Sequence, residues 1–280
     1  MQKCKITVLF GKELCLRITN VIRGSSFHDW MIGPEELWHE MSNEELMWRA
    51  SMVPRISKYP KNRTRKVAFM FLSRGSLPLG PLWEMFFKGH AGLYSVYLHT
   101  SPEFTKEPPE SSVFYMRKIT SKHVEWGQAT MMDVERRLLA NALLDFSNER
   151  FVLLSETCIP LFSFTTIYNY LINSNHSFDH CKPPCYMDEH YLAILVTKTH
   201  SDMNSNRSIT WVDWSKGGSH PTRFVKKDVS KSFFNRVRHG FNCTYNGSLT
   251  TVCFLFARKF QPNTLEALLK IAPTLLGFNP

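Results

Sequence analysis

The chain has 280 residues, enough for one sizeable α/β domain or two small ones. Hydrophobic residues make up 43% of it and aromatic residues 13%, which supports a real core and excludes disorder as the main state. The formal charge of +10 favours anionic partners, but Lys and Arg are scattered, so a nucleic-acid-binding module has only the net charge behind it.

Residues 1 to about 55 read as an irregular, stem-like lead-in. Within it, Ser42-Asn-Glu-Glu-Leu46 fits an N-cap with acidic first-turn residues and predicts a short helix with Leu46, Met47 and Ala50 inward. Lys58 to Lys66 is a basic connector. Val67-Ala-Phe-Met-Phe-Leu72 is a continuous apolar run ending in the turn formers Ser73 to Gly80, the pattern of a buried strand leading into a loop. Pro81 to Phe87 predicts a helix with Pro in its first turn, and Leu93–His99 and Val113–Arg117 predict strands. Met131, Val134, Leu138, Leu139 and Ala142 recur at helical spacing, with Asp133, Glu135, Arg136 and Arg137 mostly on the other face. Phe151 to Ser155 is again a buried-strand pattern. Strand and helix in alternation argue for an α/β fold with a mostly parallel sheet flanked by helices. Further on, Phe162 to Ile172 predicts a helix capped by Thr165 or Thr166. Ser208–Trp214 and Thr251–Phe256 predict strands. Asn263 to Leu275 predicts an amphipathic helix with Leu265, Leu268, Leu269 and Ala272 inward.

Seven cysteines stand at irregular spacing, and the Cys181/Cys185 pair has no second pair at zinc-ligand spacing. Buried thiols and a partial disulfide set both fit. Asn62, Asn175, Asn206, Asn242 and Asn246 each begin an N-x-S/T triplet. Chance supplies such triplets at roughly one per two hundred positions, so the number favours a lumenal history. No apolar run reaches the length of a membrane span, and Met1 to Phe10 makes a poor signal peptide.

Four motifs invite chemistry. The Ser73-Arg74-Gly75 loop stands where an open α/β sheet places a ligand, although it carries neither a dinucleotide nor a P-loop pattern and is on its own a turn. Trp126-Gly127 suits stacking of a planar base with close backbone approach, or simply a Trp packed at a helix start. Asp188-Glu189-His190 offers a general base, or a solvated acidic helix start. Arg258-Lys259 after a core strand can neutralise a diphosphate, or be a solvated strand end. No D-x-D occurs, so sugar-nucleotide chemistry here would rely on basic side chains in place of a metal.

The segments Leu46–Pro54, Val67–Gly75, Pro81–His90, Val124–Gly127, Glu135–Ser147, Phe151–Pro160, Tyr186–Leu192, Thr210–Gly218 and Cys253–Phe260, taken in order, resemble the plant-type branch of the Core-2/I-branching β-1,6-N-acetylglucosaminyltransferase family. The resemblance runs from about residue 28 to the C-terminus and implies a GT-A-like glycosyltransferase domain over 56–280. It also implies a type II protein of the Golgi membrane, lumenal side, whose anchor is not visible in this sequence. The implied reaction is inverting, metal-independent transfer from a UDP-sugar to a glycan or glycoprotein acceptor, with no cofactor and no nucleic acid. On this resemblance Glu189 is the base. Lys259 with Arg258 binds the diphosphate, and Arg223 is the nearest candidate for a second phosphate-binding Arg. Ser73, Arg74, Gly75, Trp126 and Gly127 face the nucleotide. The chain departs from the family between Phe178 and Cys181, where only Asp179-His180 replace several dozen residues that include a W-x-K-G-S-Q-W-F-like strand and a helix.

Overall fold

A computed structural model describes residues 37–52, 63–125, 128–174 and 208–279. In chain order the elements are α1 (Asn43–Ser51), β1 (Lys66–Leu72), α2 (Gly80–Phe87), β2 (Tyr94–His99), α3 (Ala129–Leu143), β3 (Asn148–Ser155), β4 (Ile159–Pro160), α4 (Phe164–Ile172), β5 (Thr210–Val212), α5 (Lys231–His239), β6 (Cys243–Tyr245), β7 (Ser248–Thr250), β8 (Phe256–Arg258) and α6 (Leu265–Ile271). The central sheet is parallel in the order β2-β1-β3, and a second sheet runs β4-β8-β5, with β4 antiparallel and β5 parallel to β8. This is the mixed, largely parallel α/β architecture, helices packed on the sheet, expected of a GT-A-like fold.

β1 lies between two parallel neighbours with both faces covered, which is why its sequence is apolar without alternation. Val67, Phe69 and Phe71 face one core with Trp83, Phe86 and Phe87 of α2. Ala68 and Met70 face the other with Tyr97, Leu138 and Phe151. The rings meet edge to face, Phe69 on Phe87 at 5.0 Å and Phe71 on Trp83 at 5.0 Å, the arrangement that the ring quadrupoles favour. Trp83 also stacks on Phe256 of β8 at 6.1 Å, and Phe278 closes on Phe86 at 5.5 Å. One aromatic cluster therefore underlies both sheets.

Several boundaries differ from the sequence reading. α1 carries the expected N-cap at Ser42, and the Glu45 side chain reaches back to the Ser42 N–H to complete a capping box. α4 begins at Phe164 and is capped by the Ser163 hydroxyl, not by Thr165 or Thr166. Val113–Arg117 forms turns in place of a strand: Met116 adopts a positive φ of 50°, and only Lys118 bridges to β2, at Leu98. Ser208–Trp214 shortens to β5. The strand expected over Thr251–Phe256 lies later, at β8, because Cys253 is drawn to Cys243 by a disulfide and residues 251–255 bend toward the β6–β7 hairpin. The last helix breaks into a short 3-10 turn, α6 and a π turn over Ala272–Leu276. Pro273 has no N–H to continue the α-helical ladder. Leu268 and Ala272 are buried as expected.

Arg137 is the largest departure in burial. Expected on the outer face of α3, it is 1% exposed and donates to Asn43 Oδ1 and to the Thr120 carbonyl. Its guanidinium ties α1 and the segment after β2 to α3. Among the described residues no helix is long and apolar enough to cross a membrane.

Candidate functional site

The carboxyl ends of β1, β2 and β3 finish level with one another. Ser73 N–H donates to the His99 carbonyl at 2.9 Å, and Glu156 N–H to the Leu72 carbonyl at 3.2 Å. This edge is where an open parallel sheet presents loops to a ligand. The Ser73–Gly75 loop is built there around a carboxylate that the sequence reading did not single out. Glu156 Oε2 accepts from Arg74 N–H at 3.0 Å and lies 2.9 Å from Ser73 Oγ. Glu156 Oε1 accepts from Arg74 Nε at 3.0 Å and from Nη2 at 2.7 Å. Burial alone would raise the Glu156 carboxyl, but these donors outweigh it and hold the group below the usual carboxylate range. Glu156 is thus an ionised anchor. Gly75 passes close to the Phe104 ring, where a Cβ would stand 3.4 Å from it.

Glu156 is followed at once by Thr157, which belongs to the other half of the site. The Thr157 carbonyl accepts from Phe260 N–H at 3.0 Å, and Ile159 and Pro160 of β4 pair with Ala257 and Phe256 of β8. Arg258 closes β8 opposite Val212 of β5, and Lys259 follows. The Lys259 carbonyl accepts from Phe224 N–H at 2.8 Å, so the backbone of Arg223–Phe224 runs beside Arg258–Lys259. Arg258 and Lys259 are half-buried, Arg223 is exposed, and Arg258 Nε is buried without a protein partner among the described residues. Three cationic residues from two distant stretches therefore share one edge.

The structure brings together Ser73, Arg74 and Gly75 on one side and Arg223, Arg258 and Lys259 on the other. Two consecutive residues, Glu156 and Thr157, join them. Trp126, Gly127, Glu189, Asn62, Asn175 and Asn206 lie outside the described residues, as does the stretch between Phe178 and Cys181; Asn242 and Asn246 are described and stand on the β6–β7 hairpin. The sequence signal that could have found Glu156 is an acidic residue directly after a buried parallel strand, a position that faces the ligand edge.

Two further groups near this edge have altered protonation. Burial, then the nearby Arg137 charge, push the His99 imidazole down to about 4. His99 is neutral at physiological pH and accepts from Lys122 N–H at 3.2 Å. The Asp213 carboxyl, just beyond β5, would be raised by burial, but hydrogen bonds from Ser215 and the Lys216 charge hold it low. Its carbonyl accepts from Thr222 N–H at 2.9 Å and closes the loop that leads into Arg223.

Comparison with known proteins places this edge in a family context. Residues 67–184 and 177–238 match the Core-2/I-Branching enzyme family, in two stretches that meet at 177–184. Over 117 residues the chain is 43% identical to Glycosyltransferase BC10 of Oryza sativa subsp. japonica, a match covering 40% of this chain and 29% of that protein.

Proposed function

The chain belongs to the Core-2/I-branching enzyme family, and from that premise we propose that it is an inverting, metal-independent glycosyltransferase of the β-1,6-branching type. It moves a sugar, N-acetylglucosamine, from a UDP-sugar to a hydroxyl of a glycan or glycoprotein on the lumenal side of the Golgi membrane. The observation that carries this reading is the junction at Glu156-Thr157. It sets a loop at a parallel-sheet edge beside a cationic edge at Arg223, Arg258 and Lys259. A nucleoside diphosphate needs both, a shaped backbone loop for the nucleoside and charge for the diphosphate.

In this reading Ser73, Arg74, Gly75, Trp126 and Gly127 receive the nucleoside. Lys259, Arg258 and Arg223 offset the negative charge that grows on the diphosphate as the anomeric carbon–oxygen bond breaks. Arg258 Nε is already desolvated and unpartnered, so donating to a phosphate oxygen adds little further desolvation. Glu189 takes the proton of the acceptor hydroxyl as that oxygen attacks the opposite face of the anomeric carbon, which inverts it.

Calorimetric titration of the purified chain with UDP and with UDP-N-acetylglucosamine, without added metal, tests the donor half. Binding that Lys259→Ala weakens supports it, and no binding by a folded chain removes it. Glu189→Gln in an active relative tests the base, and unchanged turnover would sink that assignment.

A second reading is favoured by the way the family match divides at 177–184, where the sequence lacks residues expected on the acceptor side. It is a family member that keeps the fold and donor site without a complete acceptor site. Donor binding without transfer separates it from the first.

A further inference from the structure

The β6–β7 hairpin carries two N-x-S/T triplets in succession, Asn242-Cys243-Thr244 and Asn246-Gly247-Ser248. We propose that Asn242 is an N-glycosylation site, that Asn246 stays unmodified, and that the glycan covers the exposed apolar face of this hairpin. The inference does not depend on the donor site; it requires passage through the secretory pathway, which the functional reading shares.

Strand geometry decides between the two asparagines. Successive side chains on a strand point to opposite faces. Cys243 and Tyr245 point inward: Cys243 is bonded to Cys253. The Tyr245 ring stacks on Tyr170 at 4.0 Å, and its hydroxyl donates to the Tyr170 carbonyl at 2.8 Å. Asn242 and Thr244 alternate with them and are exposed. The acceptor amide and the threonine of this triplet therefore share the solvent face. The Asn242 side chain makes no hydrogen bond among the described residues.

Asn246 is placed otherwise. It occupies the hairpin turn with φ 49°, followed by Gly247 at φ 80°. Its Nδ2 donates to the Asn173 carbonyl at 2.8 Å, which ties the turn to the end of α4. A sugar on that nitrogen would take up one of its two N–H groups and stand against the Asn173 backbone. The native hairpin accommodates a glycan on Asn242 and loses a tertiary contact to one on Asn246.

Two independent features of the same hairpin agree. The Cys243–Cys253 disulfide forms in an oxidising compartment, the one in which N-glycans are added. Leu249 pairs opposite Thr244 and is 84% exposed, and Phe241, beside Asn242, is 40% exposed. Lone exposed apolar residues need no explanation, but these flank the acceptor, where a glycan core would shield them. The hairpin contacts the C-terminal end of α4, which reaches Arg150 at the start of β3. The glycan therefore sits at the amino end of the central sheet, opposite the edge with Glu156. The step itself is transfer from a lipid-linked oligosaccharide diphosphate. Asn242 Nδ2 bonds to the anomeric carbon, the carbon–oxygen bond to the diphosphate breaks, and one amide proton is released.

The test is full-chain expression behind a cleavable signal peptide in plant or insect cells. The product is then treated with a peptide-N-glycosidase in heavy-oxygen water, and the peptide from His239 to Arg258 is sequenced by mass spectrometry. The expected result is the heavy deamidation mark on Asn242 and an unmodified Asn246. Asn242→Gln should remove one glycan from the gel shift, and Asn246→Gln none. A mark on Asn246 that appears only with the glycosidase, and not in an enzyme-free incubation where Asn246-Gly247 can deamidate by itself, overturns the assignment. So does an unmarked peptide from chains whose Cys243–Cys253 bond has formed, because that bond certifies the compartment. Should Asn242→Gln fail to accumulate, Thr244→Val, which removes the triplet and keeps the asparagine, gives the same reading.

Discussion

Replacing Glu156 tests the junction most directly. Its carboxylate serves three kinds of donor: the Ser73 hydroxyl, the Arg74 backbone N–H and the Arg74 guanidinium. They are not equal. The Arg74 side chain is 93% exposed, so that ion pair contributes about 0–1 kcal/mol. The Arg74 backbone N–H loses its acceptor when the carboxylate is removed, costing about 1–2 kcal/mol, whereas the buried Ser73 hydroxyl can turn to the Gly75 carbonyl, 2.9 Å away. Glu156→Ala should therefore lower stability by about 1–3 kcal/mol, roughly 2–12 °C in Tm for a domain of this size. Arg74→Ala, which keeps its N–H, should cost under about 1 kcal/mol. Thermal unfolding of the wild type and both variants measures this. The pH dependence is fixed as well. The Glu156 carboxyl is held below its unfolded value, so its contribution is full above the ordinary carboxylate range and disappears as pH falls through the folded value. The gap between wild type and Glu156→Gln should close in acid. If Arg74→Ala costs as much as Glu156→Ala, or the gap stays constant with pH, the carboxylate does not organise the loop as argued.

Lys259→Ala should weaken UDP binding about tenfold or more without a comparable fall in Tm, read by calorimetry alongside thermal unfolding. His99 is folded neutral, with its value pushed from 6.5 to about 4. Its stabilisation is complete above pH 6.5 and is lost between 6.5 and about 4, in all about 3 kcal/mol. Its imidazole signals should stay untitrated down to about pH 5 by NMR, and His99→Gln should flatten that limb of the stability curve. Reducing the Cys243–Cys253 disulfide, whose cysteines lie 10 positions apart in sequence, should cost about 2–3 kcal/mol, visible as a lower Tm in dithiothreitol. Phe69→Ala, at the centre of the ring cluster and fully buried, should cost about 3–5 kcal/mol.

Elements whose cause is local were readable from the sequence. β1 announces itself by an apolar run closed by turn formers. α3 shows itself by its spacing, and α1 by Ser42 and Glu45. What could not be read depends on distant partners. β8 is displaced from its apolar run because its ladder is set by Ile159 and Thr210 and its approach by the bond to Cys243. Arg137 looks solvated on a helical wheel, yet it is buried because Asn43 and Thr120 supply oxygens from outside α3. Glu156 gains its meaning from Arg74, 82 positions earlier. Nothing local in the sequence pairs Arg223 with Lys259; the bridge between Phe224 and Phe260 sets its backbone beside Lys259.

The ring cluster under both sheets also sets a timetable. Trp83 and Phe86 are among the first core residues made, yet rings that cover them, Phe256 and Phe278, are among the last. At roughly 5–20 residues per second, synthesis leaves the faces of α2 uncovered for about 10–40 s after they emerge. Over that interval the nascent chain presents an open aromatic surface to whatever chaperones attend it. A stop codon anywhere from position 257 to 278 would leave Phe86 permanently without the Phe278 ring.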